Sequence, residues 1–276
     1  MIMQNTFSHR LVLALVVSLT LGLMLSGCAS DEKNKNTDGI PVETLYNKAA
    51  RSLDEGEFKK ASDQFEEVDR QYPYSEWATR AQLMSGYSSY KGLKYDEAIV
   101  ALERFIELHP NDENTAYAYY LKAMCYYEQI SDVRRDQKMT ELALDALQQV
   151  AQRFPDSKYA KDATLKIDLT KDHLAGKEME IGRYYLVRKQ YQAAINRFER
   201  VVGQYQTTTH VPEALHRLVE SYLALGIVDE AQKNAAILGH NYPDSSWYKD
   251  TYRLMGGKID APAQKSWYDR TIGKIF

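Results

Sequence analysis

Small and apolar side chains recur at fixed offsets along most of this chain, starting near residue 43. The first set is Ala61, Phe65, Val68 and Tyr72, closed by Pro73. It returns as Ala98, Leu102, Phe105, His109 and Pro110, then as Ala143, Leu147, Val150, Phe154 and Pro155. A fourth copy, Ala194, Phe198, Val201 and Tyr205, has no proline, and a fifth runs Ala231, Ala235, Leu238, Tyr242 and Pro243. The anchor alanines lie 37, 45, 51 and 37 residues apart. Offsets of 0, 4, 7 and 11 place these side chains on one face of a helix. Proline then ends the helix, because it lacks the N–H and restricts the residue before it.

A second helical stretch precedes each anchor. Twelve residues back stand Ala49, Gly86, Gly182 and Val219, and nine back stand Ser52, Ser89, Tyr185 and Tyr222. A small residue at the first of these places lets two helices approach closely. Turn signals separate the helices: Glu55-Gly56-Glu57, Lys91-Gly92, Arg188-Lys189-Gln190 and Leu225-Gly226. Ser75, Asp112, Asp156 or Ser157, and Asp244 are the expected caps of the helices that follow the prolines. The unit resembles the tetratricopeptide repeat, with its basic period of about 34 residues. The resemblance covers about residues 43 to 243 in five copies and departs from the pattern at the third and fourth. It implies an all-α solenoid of about five helix pairs, stacked as a right-handed superhelix whose concave face is lined by first helices.

Two places depart from the repeat. Unit three carries extra residues between its helices, about 128–141, including Val133-Arg134-Arg135-Asp136-Gln137-Lys138. That stretch reads as a solvated charged loop, with partner docking as the alternative. A longer connection, Asp162 to Gly176, reads as a helical extension of unit three's second helix. Beyond Met255, Gly256-Gly257 and Pro262 break the pattern, so the tail to Phe276 is expected to be ordered only in part, with Trp267 and Tyr268 available for docking.

The N-terminus has a different pattern. His9-Arg10 forms a short positive region, and Leu11 to Leu25 is almost wholly apolar. This run is short of the ~20 apolar residues of a transmembrane helix and suits a secretory signal. It ends in Leu25-Ser26-Gly27-Cys28, the small-residue and cysteine arrangement of a lipoprotein signal. Cys28 is therefore the expected acylated first residue of the mature chain. Ala29, rather than Asp, follows it, which in lipoprotein sorting favours the outer membrane. The organisation expected is a signal peptide over 1–27, a flexible tether over 28–41 and repeat units one to three over 42–163. Units four and five follow over 164–255, with a tail over 256–276.

Composition narrows the function. A formal charge of −3 argues against a nucleic-acid partner. Of two cysteines, Cys28 is taken by the anchor and Cys125 has no partner, so no disulfide framework exists. No phosphate-binding glycine loop, nucleophile elbow or H-E-x-x-H motif is present, and the six histidines are scattered. His109 sits at the repeat's aromatic position and reads as packing. Adjacent acids such as Glu66-Glu67 read as surface charge. These features give no support to an enzyme, cofactor or metal site.

The chain is rich in tyrosine, with 21 residues. Its apolar ring and polar tip suit half-buried packing and binding grooves. Repeat register places Glu43, Tyr46, Arg80, Leu83, Tyr87, Tyr90, Lys91, Tyr120, Met124 and Tyr127 on first helices facing the concave side. Tyrosines beside Arg80 and Lys91 suit an extended peptide with aromatic side chains and a terminal carboxylate. The alternative is that most of these rings pack between helices.

A lipobox cysteine, a short tether and five such repeats resemble the BamD (ComL) family of outer-membrane assembly lipoproteins. The runs that carry the resemblance include Phe58-Lys59-Lys60-Ala61, Gln71-Tyr72-Pro73, Ala98 to Pro110, and Arg134-Arg135-Asp136-Gln137. Phe154 to Ala163, Leu174-Ala175, Tyr184-Tyr185 and Asn196-Arg197 extend it across nearly the whole mature chain. The resemblance implies a non-enzymatic part of the β-barrel assembly machinery, held on the periplasmic side of the outer membrane by lipid. It also implies binding to the POTRA region of BamA through the C-terminal repeats, with Arg197 as the contact. The terminal signal of unfolded barrel proteins would be received by the N-terminal repeats. The longer tail and the missing proline after Tyr205 depart from enterobacterial members. The competing reading is another repeat lipoprotein, either a secretin pilotin or an adaptor for cell-wall hydrolases.

Overall fold

The computed structural model describes residues 39–257. Cys28, the signal segment, most of the expected tether, and the tail with Trp267 and Tyr268 lie outside them. Among the described residues the secondary structure is entirely helical. The helices are α1 (Val42–Asp54), α2 (Phe58–Gln71), α3 (Glu76–Lys91), α4 (Tyr95–Leu108), α5 (Thr115–Tyr127) and α6 (Lys138–Arg153). They continue as α7 (Lys158–Val187), α8 (Tyr191–Gln204), α9 (Val211–Ala224), α10 (Val228–Asn241) and α11 (Ser246–Leu254). The chain divides at Leu45 into two compact units. The second begins inside α1 and holds the other ten helices whole.

The repeat face forms the core. The five anchor alanines are fully buried, as are Phe65, Leu102, Leu147, Phe198 and Ala235 one turn later. Val68, Phe105, Val150, Val201 and Leu238 close the stripe, none more than 1% exposed. From α2 onward each helix packs on the next, α3 also touches α5, and α5 touches α7. First helices therefore lie side by side with a second helix behind each, the arrangement of tetratricopeptide pairs. Helix α11, the last helix among the described residues, packs on α9 and α10.

Helix ends follow the same logic. Tyr72, His109, Phe154, Tyr205 and Tyr242 each cap the second helix of their pair, donating the backbone N–H to the carbonyl four residues back. Tyr205 does so without a following proline, and the Thr208 hydroxyl donates to its carbonyl at 2.7 Å. The missing proline thus leaves the unit's ending intact. Ser75 and Ser157 cap α3 and α7 as expected. The cap of α11 is Ser245 rather than Asp244: its extended backbone aims its oxygen at the Tyr248 N–H, 3.0 Å away. Asp112 stands short of α5 and instead accepts from the Asn114 backbone N–H at 2.8 Å, closing a turn.

The turn inside four of the pairs uses a left-handed residue five positions before the anchor alanine. These are Gly56, Leu93, Lys189 and Gly226, with φ of 77°, 59°, 61° and 76°. In the second pair the left-handed residue is Leu93, not the neighbouring Gly92, at a cost on the order of 1 kcal/mol for a side chain in that region. Gly92 serves a different need, because a Cβ there would meet the Phe58 Cβ at 3.1 Å.

Two expectations about the junction of units three and four need correction. The stretch from Asp162 to Gly176 does not extend unit three's second helix. That helix, α6, stops at Arg153, and Phe154-Pro155 breaks the chain before a new 30-residue helix, α7, begins at Lys158. The first half of α7 buries Ala163 and Ile167 against Leu147 and Val150 of unit three, and its second half is the first helix of unit four. Position 163/164 consequently falls inside one continuous helix. The inserted loop is also shorter than 128–141, since α6 already starts at Lys138.

Candidate functional site

The tyrosines of α3 and α5 meet one another across the first-helix layer. Tyr87 and Tyr90 on α3, Tyr95 on α4 and Tyr117 on α5 are half-buried around Leu102, Phe105 and Leu121. The rings of Tyr90 and Tyr95 lie 6.0 Å apart. Tyr159, in the first turn of α7, has its ring 5.3 Å from both Tyr117 and Tyr120 and stacks on the latter. An aromatic run thus crosses α3, α5 and α7. The period of 3.6 residues explains part of it: Tyr117 and Tyr120 are three apart and share a face.

Polar tips and cations edge this run. The Tyr120 hydroxyl donates to Asp162 Oδ2 at 2.5 Å, and Lys166 Nζ donates to the same oxygen at 2.8 Å. Lys166 also stands over the Tyr127 ring at 5.5 Å, and Lys158 over the Tyr159 ring at 5.1 Å. Burial pushes the Tyr90 hydroxyl up to about 12, with the Glu128 charge adding to it. Burial likewise raises Tyr117 to about 12, and raises Tyr120, where the bond to Asp162 adds to the effect. These phenols stay protonated; Tyr120 spends its one donor on Asp162. Asp162 is held below its ordinary value, first by the Lys166 bond and then by Tyr120.

The structure sorts the other expected groove residues. Tyr46 and Arg80 converge on Trp77, whose ring lies 4.9 Å from Tyr46 and 5.6 Å beneath the Arg80 guanidinium. Lys91 is exposed at the last residue of α3. Leu83 and Met124 do not line a surface: each is 7% exposed, and Leu83 packs among buried side chains of α4 and α5. Cys125 and His109 pack. Burial raises the Cys125 thiol to about 12, and the His109 ring lies against Phe105 and bonds Gln82 Oε1 at 2.8 Å. Sequence register missed Trp77 and Tyr159. An aromatic in the first turn after each proline was the available signal.

A second constellation surrounds Arg197 on α8. Its guanidinium donates to Glu178 of α7 at 3.1 Å, and Arg200 donates to the same carboxylate at 3.3 Å. Glu178 also lines a groove of about 380 Å³ with Arg134, Arg135, Gln137, Lys177 and Tyr205. One wall is the inserted loop, which is not freely solvated. The Gln137 amide donates to the carbonyls of Asp132, Val133 and Arg135, winding the loop around itself. Lys177 then clips it to α7 by donating to the carbonyls of Arg134 and Arg135 at 3.0 and 3.2 Å. Among the described residues, no three metal-ligating side chains cluster, and no helix is long and apolar enough to cross a membrane.

A family model described as YfiO, outer membrane lipoprotein, matches residues 38–238. The outer membrane protein assembly factor BamD of Caulobacter vibrioides is 50% identical over 250 residues, covering 90% of this chain and 82% of that protein. That of Rickettsia prowazekii is 50% identical over 246 residues, covering 89% of this chain and 98% of the relative. At greater distance, that of Neisseria meningitidis serogroup A is 33% identical over 268 residues, covering 92% and 99%.

Proposed function

The chain belongs to the YfiO/BamD family of outer-membrane protein assembly factors, and from that membership we propose that it works as a non-enzymatic scaffold, lipid-anchored through Cys28 and facing the periplasm. Its N-terminal repeats receive the terminal signal of unfolded β-barrel proteins, and its C-terminal repeats bind the POTRA region of BamA.

The observation that carries the first half is the aromatic run from Tyr87 to Tyr159 with Lys158 and Lys166 at its edge. Rings give a broad apolar contact at low conformational cost, and ammonium groups hold a carboxylate. A dye-labelled peptide alternating apolar and polar residues and ending in phenylalanine tests it by fluorescence anisotropy. The free-acid peptide is expected to bind the mature chain several-fold more tightly than its C-terminal amide. Lys158→Glu, a change on an exposed side chain, is expected to remove that preference. Equal binding of acid and amide to the unaltered chain counts against the reading.

Support for the second half comes from Arg197. Glu178 holds it half-exposed beside Arg200, so two guanidinium groups sit pre-positioned on one carboxylate. An acidic partner group then meets an arginine pair that has already lost part of its rotamer freedom. Arg197→Glu is expected to weaken association with the BamA POTRA region by tenfold or more, about 1.4 kcal/mol, with helicity by circular dichroism unchanged. Wild-type affinity in that variant removes Arg197 from the interface.

A further inference from the structure

Repeat symmetry exposes an unfilled place on the opposite, second-helix side of the N-terminal half. A groove of about 490 Å³ opens between α2 and α4 above α3. Its counterpart between α8 and α10 lies 133 residues further along the chain and is filled. There Ile195, Val202, Leu215 and Leu218 form buried core, with Tyr222 packed against them. At the matching positions in the N-terminal half stand Ser62, Asp69, Gln82, Ser85 and Ser89. Five apolar or aromatic residues are thus replaced by five polar ones in one contiguous place.

The hydroxyls make a floor. Ser62 Oγ lies 3.1 Å from Ser85 Oγ and 2.9 Å from Ser89 Oγ, and all three serines are at least 95% buried. Polar groups buried in this way add less to stability than the apolar fill of the other copy.

Two carboxylates are common to both copies, but their partners are not. In the C-terminal half the Tyr222 hydroxyl donates to Glu199 at 2.8 Å, and Lys233 Nζ donates to Glu230 at 2.5 Å. The equivalents of those acids are Glu66 and Glu97, both exposed and both lining the groove. The equivalents of the donors are Ser89, too short to reach as a tyrosine does, and Val100, which has no charge and is 68% exposed. Of the groove's own cations, Arg104 is engaged by Asp69 at 3.0 Å and Lys59 by Asp63 at 2.7 Å. Glu66 accepts from the Ser85 hydroxyl at 3.3 Å, the Lys59 charge reaches both Glu66 and Glu97, and Asp96 adds a further negative charge.

We propose that this groove is a docking slot for a lysine or arginine side chain of an extended partner polypeptide. The stem would lie on Val100 and Ala101, and the cationic head between Glu66, Glu97 and the serine floor. The cation occupies the place that Tyr222 and Lys233 fill from within the chain in the C-terminal copy. None of the lining residues belongs to the tyrosine run or to the Arg197 groove, so the inference stands apart from the function proposed above.

A dye-labelled peptide alternating lysine with alanine, titrated into the mature chain, tests the slot. Tyrosine–alanine and glutamate–alanine peptides are the comparisons. The lysine peptide is expected to bind saturably and more weakly as salt rises. Glu66→Lys combined with Glu97→Lys, both on exposed side chains, is expected to weaken it about tenfold. Ser62→Ile with Ser85→Leu, which installs the C-terminal copy's own fill, is expected to weaken it similarly while leaving the melting temperature unchanged or raised. Arg197→Glu is expected to bind as wild type. The slot is ruled out if the charge-reversed chain binds the lysine peptide as the unaltered chain does, or if the tyrosine peptide binds equally well.

Discussion

Gly182→Val is expected to destabilise the C-terminal helix pairs by about 3 kcal/mol, the upper part of the usual range for overpacking. Gly182 on α7 lies directly against Phe198 of α8. A Cβ there would lie 2.4 Å from Phe198 Cε1 and 2.8 Å from its Cδ1 and Cζ, well inside contact distance. The ring has no room to withdraw, because Phe198 is fully buried among Met179, Ala194, Val201 and Leu215. Helix α7 must shift, and with it the packing against α8. Because repeat stacks hold together largely through neighbouring interfaces, the loss is expected to be local, with α7 to α11 unfolding before α2 to α5. Urea denaturation followed by circular dichroism reads the cost. Hydrogen exchange reads its location. Adding Phe198→Leu is expected to recover part of the loss, the signature of a direct clash. The same change at Gly86 should cost less, because the closest approach there, to Leu102 Cγ, is 2.8 Å rather than 2.4 Å. Equal stability of Gly182→Val and the unaltered chain contradicts the close α7–α8 packing.

Replacing Cys28 with serine is expected to release nearly all of the protein from the membrane fraction. Serine has no thiol to take the diacylglyceryl group. One acyl chain anchors only marginally, whereas two or more make binding persistent, so loss of lipidation acts almost as a switch. Ultracentrifugation of cell envelopes, with intact-mass measurement of the mature N-terminus, checks it. Serine protein that stays in the membrane pellet in full would mean that another segment holds it there.

The second helices α2, α4, α6, α8 and α10 were legible in the sequence because one strong signal marks each: alanine, apolar side chains at four and seven, an aromatic at eleven. Two periods and a stop agree there. Helix α7 was not legible in the same way. No glycine–proline pair separates Asp162 from Gly176, and a continuous helical pattern does not reveal which neighbour each turn packs on. The break that matters, Phe154-Pro155, had already been assigned as the end of α6. The sequence marks Ser75 as the cap of α3, leaves Asp156 and Ser157 both open at α7, where Ser157 caps, and points to Asp244 at α11, where the cap is the adjacent Ser245.

At the candidate site, helical register put Tyr87, Tyr90, Tyr120 and Tyr127 on one side. It could not supply Tyr159, which enters from a helix two elements away. Nor could it pair Arg197 with Glu178, which stand 19 residues apart on different helices. Leu83 and Met124 were misplaced because an offset count treats a face as wider than it is. A rotation of one or two residues moves a side chain from the rim to the core.

The central claim is that this stack of helix pairs is an assembly factor gripping other polypeptides at the outer membrane. Purification of the lipidated, full-length chain from detergent-solubilised outer membrane, with mass spectrometry of what accompanies it, tests that claim most directly. The account predicts BamA as the principal companion, lost on Arg197→Glu. A secretin or a cell-wall hydrolase in its place, with no BamA, contradicts it.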